Sequence, residues 1–183
     1  MSKVIRRGDM IQLSSYAPFI RIGFDWEQDF YEMDTDVMAF VLDEDGIVSN
    51  EQNVVFYNNY YSENKAVRIT DDNRYNWEFV IDVAKLPVRT RRIVFVHTIY
   101  DAAVRRQNMS QIQNYIVSVD QSTALDKPGE KVATYCQEGK NPPQELLIVC
   151  ELRKKGDRWF FVPLSNGFDG NLTSLCGHYG LKI

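Results

Sequence analysis

Paired cysteines are missing from this sequence. It has three, Cys136, Cys150 and Cys176, an odd number at wide spacing that offers no disulfide framework. No two of them form a C-x-x-C pair, so a thiolate zinc site is not indicated. Reduced, buried thiols in a reducing compartment fit best. A basic excess is also missing. The formal net charge is -4 and the pI about 5.2, which argues against nucleic acid as a partner. Long apolar runs are absent too. Stretches such as 146–150 fall far short of the ~20 residues that span a bilayer. The segment from Met1 to Asp9 carries Lys3, Arg6, Arg7 and Asp9 and leads into no apolar core of signal-peptide length, so a soluble, cytoplasmic protein is expected. Finally, there is no P-loop, dinucleotide fingerprint, nucleophile elbow or zinc-helix motif.

What is present is a strand-forming pattern. Hydrophobic residues make up 44% and charged residues 25% of the 183, values of an ordinary globular chain that exclude disorder and fibrous classes. A chain of this length buries roughly 70% of its extended surface without staples. Period-two alternation and β-branched or aromatic clusters predict strands over 11–13, 19–24, 36–42, 53–56, 67–70, 77–83, 92–100, 115–119, 131–135, 146–153 and 159–164. Asp45-Gly46 and Lys155-Gly156-Asp157 read as hairpin turns. Helix signals are few. One helix, or two turns of one, is expected within 102–113 after Asp101 as N-cap. A second is expected over 172–178 between Asn171 and Gly180. Many short strands with tight turns make a sandwich or barrel. The Pro142-Pro143 step is too short for a linker, so one domain over 1–183 is expected.

Chemistry concentrates in acidic residues. Asp34 and Asp36 are two apart, so in an extended segment both carboxylates leave the same face. Like charges that close repel unless a cation or water neutralises them. Asp25 precedes them at a strand end, and Asp71, Asp72 and Asn73 form a second acidic loop. Calcium takes six to eight oxygens, and Asp25, Asp34, Asp36, Asp72 and Asn73 are donors of the right type if the fold gathers them. The pattern is not an EF-hand, because the sixth position from Asp34 is Ala39 where that loop needs glycine. Solvated acidic turns, each Asp capping its own backbone, remain the alternative.

The remaining polar groups read more plainly. His97 lies inside a strong strand, as a packed residue would. Cys176 and His178 suggest a nucleophile and base in principle, but two residues apart on a helix they point about 200° apart. Asp101 and Arg105 suit an i,i+4 pair, and Gln107-Asn108 suits a turn. Arg89, Arg91 and Arg92 form either a solvated turn or an anion patch. The run Phe56-Tyr57-Asn58-Asn59-Tyr60-Tyr61 is either a strand end with wet phenol tips or a recognition surface. Clustered carboxylates without a nucleophile or oxyanion donor make a hydrolase or transferase the weakest reading.

Several runs, in order and spacing, resemble the TerD (tellurium-resistance) family: Gly23-Phe24-Asp25-Trp26; Asp34-Thr35-Asp36-Val37-Met38-Ala39-Phe40; Val55-Phe56-Tyr57-Asn58-Asn59; Asp72-Asn73-Arg74; Thr98-Ile99-Tyr100-Asp101-Ala102; and Gly167-Phe168-Asp169-Gly170 through Tyr179-Gly180. The similarity covers about 5–183. It implies a mainly β fold, a sandwich of two mostly antiparallel sheets with a few short helices. It implies no enzymatic activity, but a calcium-binding protein tied to tellurite, chemical-stress and phage resistance. Its partners would be other Ter-type stress-response proteins, with peripheral membrane association only through a complex. The calcium positions carried over are Asp25, Asp34, Asp36, Asp72 and Asn73. The sequence departs from the pattern where it matters most. Arg74 is followed by Tyr75, Asn76 and Trp77 instead of a Gly-rich acidic stretch. Met38 stands where the pattern has serine, and Asp71 where it has glycine. A later acidic loop is shortened to Cys136-Gln137-Glu138-Gly139. The expectation is therefore weakened Ca2+ binding at a single site, or else a metal-free paralogue serving as an interaction subunit.

Overall fold

A computed structural model describes residues 2–29 and 32–182. Twelve strands are found among them: β1 (Lys3–Ile5), β2 (Ile11–Gln12), β3 (Phe19–Gln28), β4 (Thr35–Leu42), β5 (Val54–Val55), β6 (Val67–Ile69), β7 (Trp77–Asp82), β8 (Arg92–Ile99), β9 (Ile112–Ser122), β10 (Glu130–Cys136), β11 (Leu146–Lys155) and β12 (Arg158–Phe168). The helices are α1 (Ala102–Arg105) and α2 (Leu172–His178). The strands form two six-stranded sheets, ordered β1-β10-β9-β3-β7-β6 and β2-β12-β11-β8-β4-β5. Every pairing is antiparallel except β1 with β10. The expected two-sheet sandwich is what forms.

Alternation along the strands assigns the faces. On β3, Ile20, Ile22 and Phe24 enter the core between the sheets, and Val37, Ala39 and Val41 of β4 meet them there. The opposite parity of β4, Met38, Phe40 and Leu42, joins a second apolar cluster with Leu175 and Cys176 of α2 and with Tyr179 just after it. The terminal helix thus covers the outer face of the second sheet. All four edge strands are two or three residues long, which leaves little unpaired edge for another chain.

The differences from expectation have local causes. The N-terminal strand β1 lacks a readable alternation and exists because β10 offers it an edge. The expected helix over 102–113 stops after four residues, where Arg106 turns left-handed at φ 54°. A short 3-10 turn, Met109–Gln111, follows, held by a capping box between Asn108 and Gln111. Asp101 is itself left-handed and makes no side-chain cap. Arg105 lies over the Tyr100 ring, 5.5 Å from its centre, rather than pairing with Asp101. The 172–178 helix has the expected ends, with Asn171 accepting the Ser174 N–H at 3.0 Å.

Candidate functional site

The five acidic-loop residues divide between the two sheets. Asp25 belongs to β3, on the parity opposite Ile22 and Phe24, and so faces outward from the first sheet. Its Oδ1 accepts the Asn76 N–H at 2.9 Å. Asp36 belongs to β4, opposite Thr98 of β8, on the outward parity of the second sheet. Asp34, exposed just before β4, accepts the Tyr100 N–H at 2.8 Å through its carbonyl. Asp72 and Asn73 lie in the turn between β6 and β7, back on the first sheet. The fold therefore brings Asp34 and Asp36 together. Separately, it brings Asp25 beside the Asp72–Asn73 turn. Among the described residues, no three of the acidic, histidine or cysteine side chains gather into a group able to hold a metal ion.

Asp72 already has cations. Arg74 donates from Nε to its Oδ2 at 2.9 Å, and Arg21 Nη1 approaches the same oxygen at 3.7 Å. Both arginines also reach Glu78 on β7: Arg74 Nη2 at 2.5 Å and Arg21 Nη1 at 3.4 Å, while the Thr70 hydroxyl donates at 2.6 Å. Glu78 is buried, and desolvation pushes its carboxyl up against the opposing pull of Thr70 and Arg74. Burial also works against a charged Asp72, but the Arg74 backbone and guanidinium outweigh it and hold the group low. Arg21 Nη2 donates to the Leu125 carbonyl at 2.9 Å, which anchors the loop between β9 and β10 over this face. Arg21 and Glu78 were not singled out from the sequence. A Glu among the apolar residues of strand 77–83 was the available signal.

The Asp34–Asp36 pair is different. Burial raises the Asp36 carboxyl to about 7, against backbone N–H groups of Tyr57 and Val37 that lower it, and Asp34 adds like charge. Its Oδ1 is buried with no hydrogen-bond partner. Two oxygen-bearing side chains stand ready here, well short of a calcium ion's full shell.

Beside the β6–β7 turn a cleft of about 180 Å³ opens. Tyr60, Tyr75 and Trp77 line it, together with Ile69, Thr70, Asp71, Asn73 and Asn76. The turn is shaped by Asn73, which is left-handed at φ 58°. Asn76 fixes it to β3, donating from Nδ2 to the Trp26 carbonyl at 2.9 Å. Tyr75 lies flat on Gly23, where a Cβ would come within 2.3 Å of the ring. A broader, open depression of about 640 Å³ holds Arg7, Lys140 and Ser165. There Ser165, at φ 47°, shares a 2.8 Å hydrogen bond with the Tyr135 hydroxyl.

The other candidates resolve into structure. His97 is fully buried, its ring 4.3 Å from Trp26 and 5.4 Å from Tyr115, and desolvation lowers it to about 3, so the imidazole is neutral. Arg89 pairs with Glu44 and Asp45 at 3.0 Å each, and Arg92 Nε reaches the buried Glu151 at 2.9 Å, so the basic run is neutralised within the chain. Asn59 donates to the Gln52 and Val54 carbonyls, pinning the turn after β5. Cys176 is buried within α2 and His178 is exposed, against Phe168 and Tyr179.

The architecture defines a β-sandwich with a small aromatic cleft beside the turn between β6 and β7. Comparison gives the family: the TerD domain model matches residues 1–179, and the chain belongs to that family. It is 30% identical to the uncharacterized protein YceE of Bacillus subtilis (strain 168), over the full length of both. It is 28% identical to the tellurium resistance protein TerD of Serratia marcescens, over 100% of this chain and 99% of that protein. General stress protein 16U of Bacillus subtilis (strain 168) is 24% identical over both full lengths. A crystal structure of a TerD homologue from Streptomyces coelicolor A3(2) superposes with a TM-score of 0.63 at 13% identity, covering 87% of this chain and 95% of that one. That likeness speaks for the fold.

Proposed function

We propose that this chain is a stress-response binding module that acts by non-catalytic recognition through the cleft at Tyr60, Tyr75 and Trp77, with other Ter-type proteins as its partners. The observation that carries the reading is the pairing of Asp72 with Arg74 and Arg21 beside that cleft. A guanidinium fills the electrostatic role that a divalent ion would have there. The Asp72 carboxylate is thereby engaged within the chain, while an aromatic surface is left facing solvent. Relatives named for tellurium resistance, general stress and resistance to chemical damaging agents support the broad role. The test is genetic. Deleting the gene should sensitise its host to tellurite or to damaging chemicals, and the natural chain should restore protection. Tyr60→Ala, a change at a side chain 44% exposed, should fold normally and fail to restore it. Full protection by that variant would sink the reading.

A second reading has its own observation. The unpartnered Oδ1 of Asp36 next to Asp34 suits a weakly held Ca2+ at that pair alone. A ligand that binds only the folded chain raises its melting temperature. Millimolar calcium against a chelator should then raise Tm in the natural chain and not in Asp36→Asn. Superimposable melts and a flat calorimetric titration would remove this reading.

A further inference from the structure

The chain's own use of its tyrosines points to what the cleft takes. Lys65 lies 5.5 Å from the centre of the Tyr61 ring, Arg74 5.8 Å from Tyr75 and Arg105 5.5 Å from Tyr100. All three are within the ~6 Å at which a ring's quadrupole attracts a cation. The cation contacts found among the described residues leave the half-exposed Tyr60 ring open. The polar groups around it include acceptors, beside the unpartnered indole N–H of Trp77. Asn76 uses its amide nitrogen on Trp26, so its oxygen is the free end. Asp72 is neutralised by arginine, but Asp71, next to it, is exposed and has no ion pair among the described residues. At about 180 Å³ the space is smaller than the ~300 Å³ at which drug-sized pockets begin. It holds a head group rather than a whole molecule. A metal ion would find one free carboxylate there, too few for a hard cation. An anion would meet Asp71.

Resting on the binding-module reading, we propose that this cleft binds a guanidinium or alkylammonium head group, seated against Tyr60 and Trp77 with its charge met by Asp71. An arginine or lysine side chain of a partner and a free polyamine carry the same chemistry, and the experiment separates them. The full chain, labelled with ¹⁵N, is titrated with N-acetyl-arginine methylamide, with spermidine, and with the citrulline analogue, which keeps the shape and lacks the charge. The expected result is a saturable shift of the Trp77 indole N–H and of the Asn73 and Asn76 signals by a cationic probe, weakening as salt is raised. The citrulline analogue should leave them in place. Asp71→Asn and Tyr60→Leu should each weaken binding at least fivefold, with the spectrum itself reporting that the variant is folded. Tighter binding of the arginine probe assigns a partner's side chain, and tighter binding of spermidine a free polyamine. Equal shifts with the citrulline analogue, or none with either cation, overturn the proposal. If neither cation binds while Tyr60→Ala still abolishes protection in cells, the ligand class is wrong and the module stands. If Tyr60→Ala protects fully, the module reading falls on its own evidence.

Discussion

Gly23 shows how one missing side chain shapes the cleft. The Tyr75 ring rests on its Cα, and a methyl there would meet the Cδ2 carbon at 2.3 Å. The ring cannot yield cheaply, because Arg74 lies near its centre and is itself tied to Asp72 and Glu78. Gly23→Ala should therefore destabilise the chain by about 1–3 kcal/mol, the usual range for overpacking. It should also shift the signals of residues 71–77 far more than those of β11. Equilibrium denaturation and an amide spectrum check both, and a variant with unchanged stability and an unmoved turn would contradict the contact. The sequence showed Gly23 as part of a familiar run. Only the structure shows what presses on it.

At the scale of elements, α2 carries more than its length suggests. It is seven residues long, too short to persist alone in water. Its stability comes from Leu175, Cys176 and Tyr179 packing on Phe40, Met38 and Val94 of the second sheet. Leu175 is fully buried. Leu175→Ala should remove about 2–5 kcal/mol, whereas Asn171→Ala, which loses the cap on Ser174, should remove about 1 kcal/mol. Chemical denaturation of the two variants gives the comparison, and equal losses would show that the cap rather than the packing holds the helix. Here sequence and structure agree to the residue, because cap, apolar stripe and stop are all local signals. The 102–113 segment went the other way. Its helical composition was overridden by left-handed turns at Asp101 and Arg106 and by the start of β9, which is set by pairing with β3.

For the whole molecule, the buried titratable groups set the pH range of stability. Asp36 titrates near 7 when folded, against an ordinary 3.8, so between those values the folded chain holds a proton that the unfolded chain has released. Stability from this group therefore falls as pH rises from about 4 to 7. His97 acts with the opposite sign: folded near 3 and ordinarily 6.5, it costs stability as pH falls through that window. Asp36→Asn should match the natural chain below pH 4 and exceed it above pH 7 by about 2–4 kcal/mol. His97→Leu should flatten the acid limb. Urea midpoints measured from pH 3 to 8 give both differences, and parallel curves for natural chain and variants would refute the burial argument.

Alternation and turn chemistry, written locally along the chain, were enough for a strand-rich sandwich or barrel, most strand positions and the terminal helix, and the order of motifs supplied the kinship and with it the two-sheet arrangement. The sequence by itself also marked the aspartates of the two acidic loops, though not the buried Glu78 between the two arginines. The tertiary structure alone decided which of them meet. Asp25 and Asp36 are strand residues whose parity sends them out of opposite faces of the sandwich, and Asp72 finds Arg21, fifty-one positions earlier in the chain, across a sheet. Whether distant charges attract a metal or one another depends on register and face, which arise from pairing between strands and not from spacing along them.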